Sequence, residues 1–385
     1  PRKTGTNITI MSPHQRRFLL CLVLGCSTGL AGCSSLSYYL KSASGQWQIM
    51  RREQPVQKVI ADQNTDAALR QRLIFVRGVL DFAHTRLHLP DNGSYQSYAD
   101  LGRPYVTWNV VATPALSLKP KQWCYLIAGC LSYRGYFTRK EAEAYAEKLR
   151  HRGFDVYVGG VRAYSTLGWF RDPVLNTMLG EEDWEIARLL FHELAHQKLY
   201  IENEVDVNEA FAEAVARIGL SRWLQSRPPA VRRRARAELR HEDALMALLR
   251  DYSGRLNRLY RSSLPDGEKR AKKAQLFRRL QDDYRQLKQR WGGDDRYDAW
   301  MEDNLNNAKL AAVSTYHDLI PDLMAVYDAT GRDLKRFYNY MEGLKNCGHA
   351  ALLQRIETYS PGHGCRGPGQ AGKIAAERFT APLKP

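Results

Sequence analysis

Ile186-Ala-Arg-Leu-Leu-Phe-His-Glu-Leu-Ala-His-Gln-Lys-Leu-Tyr200 places His192, Glu193 and His196 in the pattern His-Glu-x-x-His. Ile186, Leu189, Leu190, Leu194 and Ala195 recur at helical spacing, no glycine or proline interrupts them, and Asp183 stands where an N-cap is needed. Histidines four apart project from one helix face, so both imidazoles reach a single zinc ion. Glu193 then sits beside the ion, placed to take a proton from the attacking water and return it to a leaving amine. The stretch predicts a zinc-dependent hydrolase of peptides. His84-Thr-Arg-Leu-His88 offers a contrast: the spacing is the same, but Thr85 stands where the base would be, and Pro90 follows. That pair reads as structural or exposed.

A catalytic zinc site needs a third protein ligand. Asp206-Val-Asn-Glu-Ala-Phe-Ala-Glu-Ala-Val-Ala-Arg217 is a second helical pattern in which Glu209 and Glu213 share a face. The short polar link from Glu202 to Asp206 lets this helix fold back on the first, which makes Glu209 the favoured ligand, with Glu202 and Glu204 as alternatives. Glu213 is expected to accept the free ring N–H of a ligand histidine. The competing account makes Asp206 and Glu209 a capping box and Glu213 a solvated or salt-bridged carboxylate.

His192-Glu-Leu-Ala-His196 followed by Asn208-Glu-Ala-Phe-Ala-Glu213 resembles the gluzincin arrangement, in which a glutamate from an N-E-x-x-x-D/E helix completes the site. The wider text is similar to a family of bacterial proteins called putative aminopeptidases, over about residues 33 to 345. It is carried by Asn92-Gly-Ser-Tyr, Tyr98-Ala-Asp-Leu-Gly-Arg-Pro-Tyr-Val-Thr-Trp-Asn109, Tyr164-Ser-Thr-Leu-Gly-Trp-Phe170, Leu305-Asn-Asn-Ala308 and Thr315-Tyr-His-Asp318. Twelve residues separate His196 from Glu209, fewer than in the thermolysin-like enzymes. The gluzincin likeness implies an oxyanion donor on a downstream helix, for which Tyr316 and His317 are the candidates, Asp318 biasing the imidazole; a buried polar pair is the structural alternative. It also implies substrate binding along a sheet edge, here Val156 to Trp169 with Tyr164 and Trp169 towards the cleft, although such aromatics also serve as core.

Met11 to Cys33 has a basic start, a short apolar run and the ending Leu30-Ala-Gly-Cys33, which looks like a bacterial lipobox. The run is short for a bilayer span and has the flanks of a signal peptide. The expected product begins at Cys33, lipidated and tethered to the membrane, and Ser34 after it points to the outer membrane facing the periplasm. Residues 1–10 read as an extension ahead of the start at Met11. Of seven cysteines, Cys124 and Cys130 are a candidate disulfide for an oxidising compartment. No C-x-x-C is present, so a cysteine-based zinc site is not expected.

The 385 residues carry 57 basic against 41 acidic side chains, a net charge of +16, with 44% hydrophobic residues. The cations are spread over helical stretches without a nucleic-acid motif, so the expected partners are a peptide substrate and the membrane through Cys33, not nucleic acid. The fold class expected is α+β and predominantly helical, a small mixed or antiparallel sheet packed on the zinc helices and followed by a helical C-terminal part. The boundaries follow: signal peptide 11–32, metallopeptidase domain 33–225, helical domain 226–345, flexible tail 346–385. Helices are expected at 242–260, 267–291, 295–319 and 333–344, with 267–289 as an exposed helical hairpin. The function expected is a zinc aminopeptidase held in the cell envelope. The alternatives are an endopeptidase or murein-peptide hydrolase, and a non-catalytic assembly or binding lipoprotein.

Overall fold

The computed structural model describes residues 44–125, 129–163, 171–180, 182–314 and 319–359. The chain divides into two units between Arg51 and Arg52. In the first, residues 44–50 form helix α1.

The second unit opens with β1 (Gln54–Pro55), α2 (Val56–Ala61) and α3 (Ala67–Leu87). The Asp66 side chain caps α3 by accepting from the backbone N–H groups of Ala68 and Leu69 at 2.9 and 3.1 Å. Leu73, Val76, Leu80, Ala83 and Leu87 are spaced three and four apart and are all buried, the stripe that holds α3 to the body. His88 ends the helix in the left-handed conformation, while His84 Nδ1 lies 3.3 Å from the Leu89 carbonyl. The His84/His88 pair therefore serves the helix end.

β2 (Ser97–Ala99) pairs antiparallel with β1 and parallel with β8 (Val174–Leu175), which sets Tyr98 opposite Val174. The main sheet has the order β6-β3-β7, all antiparallel, from β3 (Thr107–Pro114), β6 (Arg134–Tyr136) and β7 (Phe154–Val161). Between β3 and β6, β4 (Trp123–Tyr125) and β5 (Gly129–Leu131) make a separate hairpin. Helix α4 (Arg139–Arg150) covers one sheet face: Val110, Ala112 and Val156 alternate inward onto Ala142, Ala146 and Leu149. Gly160 on β7 is a close approach, since a Cβ there would lie 2.4 Å from the Tyr105 ring. β7 stands at the sheet edge, and Asn306 Nδ2 already donates to the Val156 carbonyl at 3.1 Å on it.

Helices α5 (Asp183–Lys198) and α6 (Val205–Leu224) follow and pack along their lengths. Fourteen of the twenty residues of α6 are buried, including Phe211 and Trp223, so this helix runs through the core and is not a surface helix with one apolar stripe.

The C-terminal part is helical, as expected. α7 (Pro229–Arg261) begins thirteen residues before the expected start at 242. Its first turns are arginine and alanine behind a proline at the N-terminus, residues that favour a helix without any apolar periodicity. α8 (Asp266–Arg290) packs against α7, and Leu245, Leu249, Tyr252 and Leu256 share one core with Phe277, Leu280 and Tyr284. Residues 267–289 are therefore not a hairpin in themselves but one continuous helix, its apolar stripe buried against α7.

The helix expected over 295–319 is replaced by α9 (Asp298–Glu302) and α10 (Asn307–Ser314). The break has a tertiary cause. Asn307 is fully buried, donates through Nδ2 to the carbonyls of Ala115 and Ser117 at 3.1 Å each, and accepts from the Tyr260 hydroxyl at 2.7 Å. The Leu305-Asn-Asn-Ala308 segment thereby ties the helical part to the end of β3 and to β7. α11 (Ile320–Ala329), α12 (Leu334–Gly343) and α13 (His349–Glu357) complete the fold, α13 lying within the segment read as a tail. Among the described residues no helix is long and apolar enough to cross a membrane.

Candidate metal centre

α5 brings His192, Glu193 and His196 into the body, and α6 brings Glu209 and Glu213. The N-cap of α5 is Glu182, one residue before the expected Asp183. The Glu182 backbone N–H is bonded by the Glu185 carboxylate at 3.2 Å, and Asp183 instead pairs with Arg72 at 2.5 Å. The turn between the helices is fastened by Asn208, whose Oδ1 accepts from the Ile201 N–H at 2.8 Å and whose Nδ2 donates to the Ile201 carbonyl at 2.7 Å. These two hydrogen bonds hold the turn closed, so twelve residues suffice between His196 and Glu209. The helices run antiparallel: His196 meets Glu209, His192 meets both Glu209 and Glu213, and Arg188 meets Glu213.

Three donor atoms converge. The Nε2 atoms of His192 and His196 are 3.1 Å apart, and Glu209 Oε2 lies 3.4 Å from the first and 3.6 Å from the second. Four ligands placed tetrahedrally about a zinc ion at about 2.0–2.1 Å have edges of about 3.3 Å. The triangle therefore fits such an ion without rearrangement, and its donor set of two imidazoles and one carboxylate is one that catalytic zinc accepts. His192, His196 and Glu209 form the one such cluster among the described residues. Glu202 is exposed, and Glu204 is 2.8 Å from His349 Nδ1, so neither alternative ligand reaches the cluster.

The electrostatics favour a cation. Burial opposes a charge on His192, but the carboxylates of Glu209 and Glu213 outweigh it and push its pKa up to about 10. Burial would also raise Glu209, yet the two histidines hold it well below the usual carboxylate range. Glu213 is buried too, and the charges of Arg188, His192 and Arg217 keep it ionised. Its Oε2 lies 3.7 Å from His192 Nδ1, the ring edge away from Glu209. An acceptor on that edge keeps the proton on Nδ1 and leaves the Nε2 lone pair for a metal.

Glu193 is 6% exposed, and its Oε2 is buried with no hydrogen-bond partner among the described residues. Burial first, and then Glu209 and Asp172, push its pKa up against the pull of the two histidines. A buried carboxylate oxygen without a donor is costly, and it marks a group held ready for something else.

Behind the ligands lies a network that the motif did not reveal. Arg188 donates to Glu213 at 2.5 Å and to both oxygens of Glu242 at 2.6 and 2.7 Å, and Arg217 donates to Glu213 at 2.8 Å. Arg188 stands one turn before His192 on the same helix face, a position that could have been singled out. Glu242, on α7, could not. Cys124 and Cys130 form a disulfide between β4 and β5. Cys33, Tyr164, Trp169, Tyr316, His317 and Asp318 lie outside the described residues.

A family model described as "Putative aminopeptidase" matches residues 37–355 of the chain. No curated protein and no solved structure matches it.

Proposed function

Because the chain belongs to the putative aminopeptidase family, we propose that it is a zinc-dependent peptide hydrolase acting on free amino termini. The convergence of His192 Nε2, His196 Nε2 and Glu209 Oε2 within one tetrahedral face carries this reading. Two histidines and a glutamate from the next helix, converging on one point, support the gluzincin reading. A zinc ion held there supplies a Lewis acid that polarises the scissile carbonyl and makes water a better nucleophile.

The remaining steps belong to the chain. Glu193, one position after His192 and with an oxygen lacking a partner among the described residues, accepts the proton of the attacking water. As a buried carboxylic acid it then delivers that proton to the leaving amine. Glu213 fixes the tautomer of His192, and Arg188 with Arg217 fixes Glu213. Tyr316 and His317 are the proposed donors to the oxyanion, and Tyr164 and Trp169 the proposed substrate contacts beyond β7.

The experiment is hydrolysis of a peptide library with free and acetylated amino termini by the zinc-loaded chain and its Glu193→Gln variant. Cleavage confined to free amines, lost at least ~100-fold in a variant that keeps its zinc, supports the reading. Cleavage regardless of acetylation makes the protein an endopeptidase. Equal rates for the two proteins would remove Glu193 as the base and revive the binding role.

The place of action is proposed from Leu30-Ala-Gly-Cys33: an envelope lipoprotein anchored by the lipids on Cys33, in the outer membrane facing the periplasm. Cys33→Ser is expected to abolish lipid labelling in cells and to release the protein from the membrane fraction.

A further inference from the structure

Tyr95 has three unusual properties together. It is 2% exposed, its backbone φ is +63°, and its hydroxyl is buried without a hydrogen-bond partner among the described residues. A bulky side chain in the left-handed region is strained, and a buried hydroxyl without a partner adds a desolvation cost. The preceding turn is held by Asn92, whose Oδ1 accepts from the Ser94 N–H at 3.1 Å. Such costs persist where the surroundings impose them, and they gather at functional sites.

The surroundings here are the metal helix. Gln197 stands one turn after Glu193 on the same face of α5. Its Nε2 donates to Asp172 Oδ2 at 3.2 Å and to Ser94 Oγ at 3.4 Å, and its Oε1 accepts from Asn92 Nδ2 at 2.8 Å. The Asp172 carbonyl accepts from the Tyr95 N–H at 2.5 Å, and the β2–β8 pairing holds the two segments side by side. The loop that carries Tyr95 is therefore fastened to the face of α5 from which Glu193 projects. Burial and the carboxylates of Glu193 and Asp172 hold the Tyr95 phenol well above its usual range, so it stays a donor. A donor and an acceptor, each buried and each without a partner among the described residues, thus occupy one neighbourhood.

We propose that Tyr95 is a positioning residue of this centre, its hydroxyl donating through one water to Oε2 of Glu193. The bond would hold the carboxylate in one rotamer, with its other oxygen turned to the attacking water. A water between them would have polar partners on both sides, the condition for an ordered buried water. The inference rests on the peptidase reading for its catalytic meaning, but the Tyr95–Glu193 relationship is open to a test without activity.

The test uses Tyr95→Phe, Glu193→Gln and the double variant in the full chain. It is read by thermal melting without added metal, by zinc stoichiometry, and by kcat and KM for a free-amine peptide. Tyr95→Phe is expected to melt at or below the wild type because Glu193 Oε2 loses its donor, to bind one zinc, and to lose ~10-fold or more in kcat with little change in KM. The melting shifts of the two single variants are expected not to add in the double variant, as for residues in contact. A Phe variant with unchanged kcat, and melting shifts that add in the double variant, would overturn the proposal. If the wild type cleaves no peptide, the functional reading falls and the melting cycle alone decides: non-additive shifts support the Tyr95–Glu193 bond, and additive shifts remove it.

Discussion

Glu213 Oε2 lies 3.7 Å from Nδ1 of His192, across the ring from the nitrogen that faces Glu209. The two carboxylates stand four residues apart on α6 and meet opposite edges of one imidazole. One helix therefore supplies a candidate metal ligand and the group that orients a second. Glu213 can do this although buried, because Arg188 and Arg217 both donate to its other oxygen.

Glu213→Gln is expected to weaken zinc binding about 10–100-fold while the protein stays folded, since the amide keeps the shape but loses the charge that orients His192. Competition against a chelator of known affinity measures it. An unchanged zinc affinity would show that His192 is oriented by other means.

Adding zinc is expected to raise the melting temperature of the wild type and not of Glu209→Ala. At a free zinc concentration a hundred times the dissociation constant, linkage is worth about 2.7 kcal/mol. Removing Glu209 opens the triangle to two donors. Equal zinc-induced shifts in the two proteins would place the third ligand elsewhere.

Gly219→Ala tests the packing that carries α6 past its neighbours. A Cβ at 219 would lie 2.6 Å from Leu87 Cδ1 and 2.8 Å from Phe191 Cδ2. Both are buried side chains with little room to retreat. A loss of about 1–3 kcal/mol in urea unfolding is expected. Because Phe191 precedes His192, zinc affinity is expected to fall with it.

Acid is expected to weaken the fold through Glu242. Burial pushes this carboxyl up, but the hydrogen bonds and charge of Arg188 outweigh burial and hold it below the usual range. A carboxylate with its folded pKa depressed contributes stability that is complete above its unfolded value, about pH 4.3, and is lost as the pH falls through the folded value. Melting temperatures between pH 7 and pH 3 should therefore drop less steeply in Glu242→Gln than in the wild type. Parallel curves would remove the Arg188–Glu242 pair from the account.

His192, Glu193 and His196 could be read from a pattern of five residues because their relationship is helical: i and i+4 share a face wherever a helix forms. Glu209 and Glu213 were legible for the same reason. The gap between His196 and Glu209 was countable, but the Asn208–Ile201 clamp that makes it sufficient was not announced by any periodicity.

What lay beyond the sequence is what packing alone brings together. Arg188 and Glu242 are 54 residues apart, and the Asn307 side chain bonds carbonyls about 190 residues away, breaking a helix that local preference would have continued from 295. Ser94 and Gln197, 103 positions apart, meet only when the loop before β2 folds onto α5. Helical and strand periods record the contacts a residue makes within a few positions along the chain. The identity of a distant partner is settled only when whole elements pack, where burial makes each unpaired polar atom costly and the surrounding geometry decides which atom it meets.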